Sequence, residues 1–249
     1  MQVTLVDYTG CGSRDPFYAA RLLIYAKNTR LEQNVNTRTE IAMMSPSEIM
    51  QELAKIAITI RSSWEFVDFV FEIRDVTRAF THQLVRTRHG SYAQQSQRSV
   101  NMSGFGYKMP RTVVDKHLDT KWLDHMDRVS QLYTIMIENG VPTQDARGIL
   151  PTNIHTNIIA KFNLRTLAEI CAKRDNPRAQ GEYTDVVKEM KAKSIRVFPW
   201  VKIFLEPERG KTPALDAILR RELGDRSPAS VPEINDALKE LDQLKGTWG

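Results

Sequence analysis

The sequence predicts an α+β protein, because stretches with the period of a strand and stretches with the period of a helix both occur in it. Residues 67–73 carry apolar side chains at every second position, the pattern of a strand with one buried face. Residues 122–136 carry apolar side chains three or four positions apart, the pattern of a long amphipathic helix. These two patterns predict strands and helices within the same chain.

The N-terminal half contains two predicted strands and three predicted helices. Val3 and Leu5 alternate with their neighbours and predict an opening strand, which a helix over residues 17–27 follows. Ser45 and Glu48 form a capping box with Pro46 at the first helical position, which predicts a helix to about residue 60. After the strand at 67–73, apolar side chains spaced by four predict a helix over residues 76–86. The chain from Gly90 onward is then expected to be an extended loop.

The C-terminal half is predicted to be helical. The helix that contains residues 122–136 is expected to end at Gly140, and another begins at Pro142 and carries Arg147. Further helices are predicted over residues 163–174 and 183–197. From residue 206 the composition changes to a linker with short helices, so we predict a main domain in residues 1–205 and a helical C-terminal appendage in residues 206–249.

Composition narrows the class of protein. The chain has 249 residues and a formal net charge of +5, which favours anionic ligands without distinguishing nucleotides, nucleic acids and membrane surfaces. Its two cysteines cannot form a disulfide framework, so a reducing, cytoplasmic environment is expected. We recognise no signal segment and no run of about 20 apolar residues, so neither secretion nor a membrane span is expected.

The functional interpretation depends on residues 82–98, which are dense in hydrogen-bond donors. No Asp or Glu occurs from Val76 to Val114, so this window should have a positive potential. A solvated basic loop, a nucleic-acid patch and a pocket for a nucleotide or another phosphate ligand all fit this pattern. Interspersed apolar residues favour a partly buried pocket. The basic residues of the window are Arg78, Arg86, Arg88, Arg98, Lys108 and Arg111.

Other chemistries are poorly supported. The five histidines lack the spacing of a zinc site, so no metal site is predicted. Glycine-rich dinucleotide and phosphate loops are missing from the sequence. Cys171 lies on an apolar helix stripe and is expected to be a core residue. A bound nucleotide would therefore be held by arginine and amide donors.

Residues 86–96 resemble the signature of the flavin-dependent thymidylate synthase family. The family motif is Arg-His-Arg, seven residues and Ser, and here Arg86 and Arg88 are followed after seven residues by Ser96. Residues 146–151, 163–165 and 174–182 are also similar to family segments. The resemblance covers residues 1–205 and implies a flavin-dependent thymidylate synthase-like fold, an antiparallel sheet with long helices.

The resemblance implies transfer of a one-carbon unit from methylenetetrahydrofolate to C5 of dUMP, giving dTMP. FAD would be the cofactor, NADPH the reductant, and a homotetramer would form active sites between subunits. The residues implied to bind dUMP are Gln83, Leu84, Val85, Arg86, Gln94, Gln95, Ser96, Gln97, Arg98, Arg147 and Arg174. The residues implied to bind FAD are Ser62, Arg86, Thr87, Arg88, Gln94, Asn163, Leu164, Arg165 and Glu169.

Arg174 is the implied catalytic residue. A guanidinium beside the pyrimidine favours the ring anion that makes C5 nucleophilic, and it does so without giving up its own proton. Taken singly, the arginines also have structural interpretations. Arg165 and Glu169 could be a surface pair, and Arg174 could be a helix C-terminal cation. Their joint order and spacing favour the functional interpretation.

The sequence departs from the family at three histidine positions. Thr87 stands at the centre of the motif, and Ile60 and Phe66 replace histidines in a segment that keeps Ser62 and Glu65. An imidazole can transfer a proton near neutral pH, and none of the three replacements can. A hydroxymethylase acting on dUMP or dCMP is therefore an alternative. A non-catalytic nucleotide-binding or nucleic-acid-binding protein is a second alternative.

Overall fold

The fold is centred on a four-stranded antiparallel sheet. A computed structural model describes residues 1–30, 38–59, 61–174 and 181–206. The strands are β1 (Gln2–Tyr8), β2 (Asp68–Thr77), β3 (Ser91–Gln94) and β4 (His155–Asn163), and their order in the sheet is β1-β2-β4-β3. The predicted α+β class is confirmed. The predicted appendage lies outside the described residues except for Glu206, and Ile60 lies outside them as well.

Helices and short 3₁₀ turns complete the described chain. The 3₁₀ turns cover Arg61–Phe66, Arg147–Ile149 and Pro199–Val201. The helices are α1 (Tyr18–Arg30), α2 (Arg38–Met43), α3 (Pro46–Ile58), α4 (Arg78–Leu84), α5 (Arg111–Asp115), α6 (Asp119–Glu138), α7 (Thr143–Ala146), α8 (Leu164–Arg174), α9 (Gly181–Val197) and α10 (Lys202–Leu205).

One face of the sheet is buried under helices. Along β4, Thr156, Ile158, Ala160 and Phe162 are buried, whereas the residues between them are exposed. The buried side chains form the main core with residues of α1, α3, α8 and α9. Burial of this apolar face stabilises the fold by roughly 25 cal/mol for each Å² removed from water.

The boundary between β2 and α4 differs from the prediction. The helix expected from residue 76 begins at Arg78, because β2 continues to Thr77 through a register shift between Ile73 and Val76. Asp75 lies in the shifted segment and has a left-handed φ of 55°. Thr77 then caps α4, since its side chain accepts a hydrogen bond from the Phe80 amide at 3.1 Å.

Two strands were not predicted. The extended loop expected after Gly90 is strand β3 over four residues, and the chain before Asn163 is strand β4. The helix expected from residue 163 starts one residue later. Asn163 instead caps α8, because its Oδ1 accepts a hydrogen bond from the Thr166 amide at 2.9 Å.

A second, smaller core lies in the segment of the chain that connects β3 to β4. Met102, Met126 and Tyr133 are buried in it, and the Tyr133 hydroxyl accepts a hydrogen bond from the Met102 amide at 3.1 Å. The long helix α6 forms its main wall. As predicted, Gly140 follows this helix with a left-handed φ of 81°. Among the described helices, none is both long and apolar enough to cross a bilayer.

Candidate active site

The motif turn joins α4 to the edge strand β3. Thr87 donates its amide to the Leu84 carbonyl at 3.0 Å, and Gly90 donates to the Thr87 carbonyl at 3.1 Å. These two turns expose Arg86 and Arg88 to solvent at the end of the sheet. Gly90 cannot be replaced without rearrangement, because an added Cβ would lie 2.4 Å from the Tyr92 hydroxyl and 2.7 Å from the Phe162 ring.

Several arginines of the predicted site lack a carboxylate neighbour. In the part of the chain that the structure describes, no ion pair involves Arg86, Arg88, Arg98 or Arg147. By contrast, Arg74 on the sheet surface contacts Glu72 at 2.6 Å. Exposed guanidiniums without acidic partners are free to bind anions in bidentate geometry.

Strand β3 sets the distance between the two halves of the predicted site. Ser91 pairs with Lys161 and Gln94 pairs with Ile158, so β3 runs along the edge of β4. The turn that carries Arg86 and Arg88 therefore lies at the end of β4 that leads into Asn163. The loop after Gln94 lies at the other end. Each residue of a strand spans about 3.4 Å, so these two groups are roughly 10–15 Å apart.

The loop after β3 forms one end of the site, and four predicted residues lie in it. Ser96 Oγ accepts hydrogen bonds from the amides of Arg98, at 3.1 Å, and of Ser99, at 3.3 Å. Thr143 of α7 donates its hydroxyl to the Arg98 carbonyl, which ties this loop to the segment that carries Arg147. The other two predicted residues of the loop are Gln95 and Gln97.

Arg78 belongs to the same end and is missing from the predicted site. It is half-buried and donates to the Gln95 carbonyl at 3.3 Å. Burial lowers the pKa of Arg78, and the nearby charge of Arg147 lowers it further. Two guanidiniums that repel one another are stabilised by a shared anion. Arg78 lies in the acid-free window, and this position was the signal that could have identified it.

The opposite end of β4 carries most of the residues that the resemblance assigns to FAD. Arg165 donates to Glu65 at 2.7 Å and to Glu169 at 3.4 Å, so both carboxylates approach its guanidinium. Glu65 raises the pKa of Arg165 most. Ser62 is exposed nearby in the 3₁₀ turn, and Phe66 at the end of that turn is 56% exposed.

The remaining predicted residues are more buried. Gln94 donates its side-chain amide to the Thr81 hydroxyl at 2.7 Å, which connects β3 to α4. Gln83 is half-buried on α4, whereas Val85 after it is exposed. The side chains of Leu84 and Leu164 are fully buried in the main core. These two leucines therefore position the backbone on either side of the site.

Arg174 lies at the C-terminal end of α8, as predicted. Its guanidinium carbon is 4.4 Å from the ring centroid of Tyr183 on α9. Burial raises the pKa of Tyr183, and the nearby Thr87 side chain acts in the opposite direction. Arg174 therefore stacks on a tyrosine that neighbours the centre of the Arg-Thr-Arg motif, and α8 begins at the same end of β4 as the motif turn.

The predicted site is an open surface in the single chain. A cavity of about 460 Å³ lies between α1 and α2, and none of the predicted site residues lines it. A smaller cavity of about 210 Å³ includes Gln95 together with His155 and Asn157. Among the described residues, no group of His, Cys, Asp or Glu could hold a metal ion.

Comparison with known proteins identifies the family. The family profile described as thymidylate synthase complementing protein matches residues 4–200. The flavin-dependent thymidylate synthase of Pyrococcus furiosus is 33% identical over 215 residues, which cover 82% of this chain and 85% of that relative. The enzyme of the same name from Sulfurisphaera tokodaii is 26% identical over 234 residues, which cover 89% and 87%.

A third relative is matched over a shorter stretch. The flavin-dependent thymidylate synthase of Geobacter sulfurreducens is 36% identical over 153 residues, or 59% of this chain and 65% of that relative. This match thus spans slightly less than two thirds of the relative's length. The profile match covers most of the chain and includes the motif turn, β3 and α8. The chain therefore belongs to the thymidylate synthase complementing protein family, which includes the flavin-dependent thymidylate synthases.

Proposed function

We propose that this protein is a flavin-dependent thymidylate synthase that converts dUMP to dTMP. The carbon would come from methylenetetrahydrofolate and the reducing equivalents from NADPH through FAD. The observation that carries the proposal is the set of arginines without carboxylate partners along β3, in a chain that belongs to this family. Such a set suits two phosphorylated ligands at neighbouring positions.

The loop after β3 is the proposed phosphate site for dUMP. Arg98, Arg147 and Arg78 can supply charged hydrogen bonds to a phosphate monoester, and the Ser96 turn fixes the backbone between them. Arg174 would then contact the pyrimidine edge. Its planar guanidinium can stabilise negative charge on the ring while C5 forms the new carbon–carbon bond and loses its proton.

The turn with Arg86 and Arg88 is the proposed site of the FAD diphosphate. The donors fit this group, since both side chains are exposed cations and neither has an acidic partner in the described chain. Asn163 and Glu169 would add polar contacts at the same end of β4. When bound, FAD supplies the hydride chemistry, while the protein supplies position and charge.

We further propose that the active enzyme is a homotetramer with active sites between subunits. In the single chain the arginines face solvent on an open surface, and a bound nucleotide would gain a second wall from a neighbouring subunit. The sheet face opposite the helices also exposes apolar side chains, including Val6 at 47% and Ile159 at 45%. Such a face is suited to burial against another copy.

A hydroxymethyl product is the second candidate. Neither Phe66 nor Thr87 carries a group that titrates near neutral pH. Without imidazoles at these two positions, water rather than hydride could capture the one-carbon unit. A hydroxymethylase of this kind could act on either dUMP or dCMP.

Release of tritium from dUMP labelled at C5 tests the proposed reaction, because substitution at C5 expels that hydrogen. Purified protein with FAD, NADPH, methylenetetrahydrofolate and labelled dUMP should release tritium to water. Release should stop when methylenetetrahydrofolate is omitted. A flavin-free protein that releases no tritium with all components present would contradict the proposal and favour a non-catalytic binding protein.

A further inference from the structure

Tyr183 is a buried tyrosine to which the reaction as described assigns no role. It is 1% exposed, and its ring meets the Phe80 ring edge-on at 5.1 Å and 88°. On its other side it meets the Arg174 guanidinium, 4.4 Å from the ring centroid. The Thr87 side chain also lies near its hydroxyl.

The Thr87 side chain faces tyrosines of the protein interior. Tyr92 donates its hydroxyl to the Thr87 carbonyl at 2.7 Å. Tyr92 in turn packs edge-on against Phe162 at 5.8 Å. The central residue of the motif is therefore fixed to the sheet by Tyr92, and its side chain lies near Tyr183 of α9.

The first turn of α9 also fixes the backbone of Arg174. Thr184, the residue after Tyr183, donates its hydroxyl to the Arg174 carbonyl at 3.2 Å. Glu182, the residue before it, accepts from the Thr77 hydroxyl at the start of α4. Three consecutive residues of α9 thus contact the start of α4, the Phe80 ring within α4 and the end of α8.

From this arrangement we propose that Tyr183 is a positioning residue for Arg174, and that Thr87 acts through Tyr183 rather than on the flavin directly. The proposal rests on the proposed function, since it assumes that Arg174 contacts the pyrimidine. The ring supports one face of the guanidinium and leaves the other face and its donors for the nucleotide. The proposed hydrogen bond from Thr87 would fix the direction of the Tyr183 hydroxyl.

The phenol suits this role because it stays neutral. Burial raises the pKa of Tyr183, while the Thr87 and Arg174 side chains act in the opposite direction. A protonated hydroxyl can donate to one partner and accept from the other.

Binding of dUMP to the full-length, FAD-loaded protein, measured by calorimetry, tests the proposal. Tyr183→Leu removes the ring and should weaken dUMP binding by about tenfold or more, the scale of one hydrogen bond to a charged group, with FAD content unchanged. Tyr183→Phe keeps the ring and removes the hydroxyl, so its effect should be smaller. Tyr133→Phe removes a buried hydroxyl from the second core and should leave dUMP binding unchanged.

A double-mutant cycle tests the part of Thr87. Thr87→Val and Tyr183→Phe each remove one partner of the proposed hydrogen bond. The double variant should therefore bind dUMP no more weakly than the single variant that binds it less tightly. Thr87→Ser should recover the affinity that Thr87→Val loses. Additive losses in the cycle, or wild-type affinity in Tyr183→Leu, would overturn the inference and leave the proposed function intact. Failure of the wild-type protein to bind dUMP would overturn the proposed function itself.

Discussion

Glu182 and Thr77 form a buried hydrogen bond between α9 and the start of α4, the helix before the motif turn. The Glu182 carboxylate accepts from the Thr77 hydroxyl, and Lys108 approaches the same carboxylate at 3.3 Å. Thr77 in turn caps α4 at the Phe80 amide. A contact between residues that are far apart in the sequence therefore fixes where α4 begins. It also fixes where the turn after α4 places Arg86 and Arg88.

Glu182→Gln should destabilise the protein. The change removes the charge that Lys108 pairs with and weakens a buried hydrogen bond, so we expect the free energy of unfolding to fall by about 1–3 kcal/mol. Urea unfolding measures this directly. Lys108→Met is the control and should cost less, because the Lys108 side chain is 43% exposed whereas that of Glu182 is only 4% exposed. Equal losses in the two variants would contradict the assigned role of Glu182.

Arg88→Ala should release FAD. If Arg88 binds the diphosphate, its loss should weaken FAD binding by about 1.5–3 kcal/mol, the cost of a hydrogen bond to a charged group. Flavin absorbance after gel filtration reports the retained cofactor. Arg74→Ala is the matched control, because Arg74 is an exposed arginine that pairs with Glu72 away from the site. Full flavin content in Arg88→Ala would rule out this role.

Arg174→Lys should fold and retain FAD but lose nearly all turnover. Lysine can act as a helix C-terminal cation, but it lacks the planar fork that can grip a pyrimidine edge. Thermal unfolding, flavin content and the rate of dTMP formation separate these properties. Near-normal turnover would mean that Arg174 acts only as a cation that stabilises the C-terminal end of α8.

His155→Gln should reduce the dependence of stability on pH. Burial lowers the pKa of His155 below its ordinary 6.5, against the opposing charges of Asp75 and Glu182. As pH falls below 6.5, the unfolded chain binds a proton that the folded protein resists, so the free energy of unfolding decreases until the folded pKa is passed.

Urea unfolding of wild type and His155→Gln tests this dependence at about pH 7.5 and about pH 5.5, on either side of the ordinary histidine pKa. The loss of stability between the two values should be smaller in the variant. An identical loss in both proteins would assign the pH dependence to other groups.

Local signals in the sequence predicted the helices better than the strands. The capping box at Ser45 is formed as expected, because Glu48 and Ser45 exchange hydrogen bonds within one turn. Strand β4 was missed because its buried face includes Thr156 and Ala160, which are weakly apolar, while Ile159 faces outward. Its pattern therefore lacks clear alternation.

The candidate site could be predicted as a set of residues but not as an arrangement. The motif turn, Arg147 and Arg174 followed from the order of residues along the chain. The contact of Tyr183 with Thr87 could not be predicted, because it joins segments separated by β3, the second core, β4 and α8. Arg78 was missed as a site residue because its proximity to Arg147 arises only when α4 and α7 are folded around the same loop.

The mass of the nucleotide product tests the central claim most directly. The purified protein is incubated with FAD, NADPH, methylenetetrahydrofolate and either dUMP or dCMP, and the product is identified by mass spectrometry. The account predicts that dUMP yields dTMP and that dCMP is returned unchanged. A hydroxymethylated nucleotide, or unchanged dUMP in the presence of bound flavin, would contradict it.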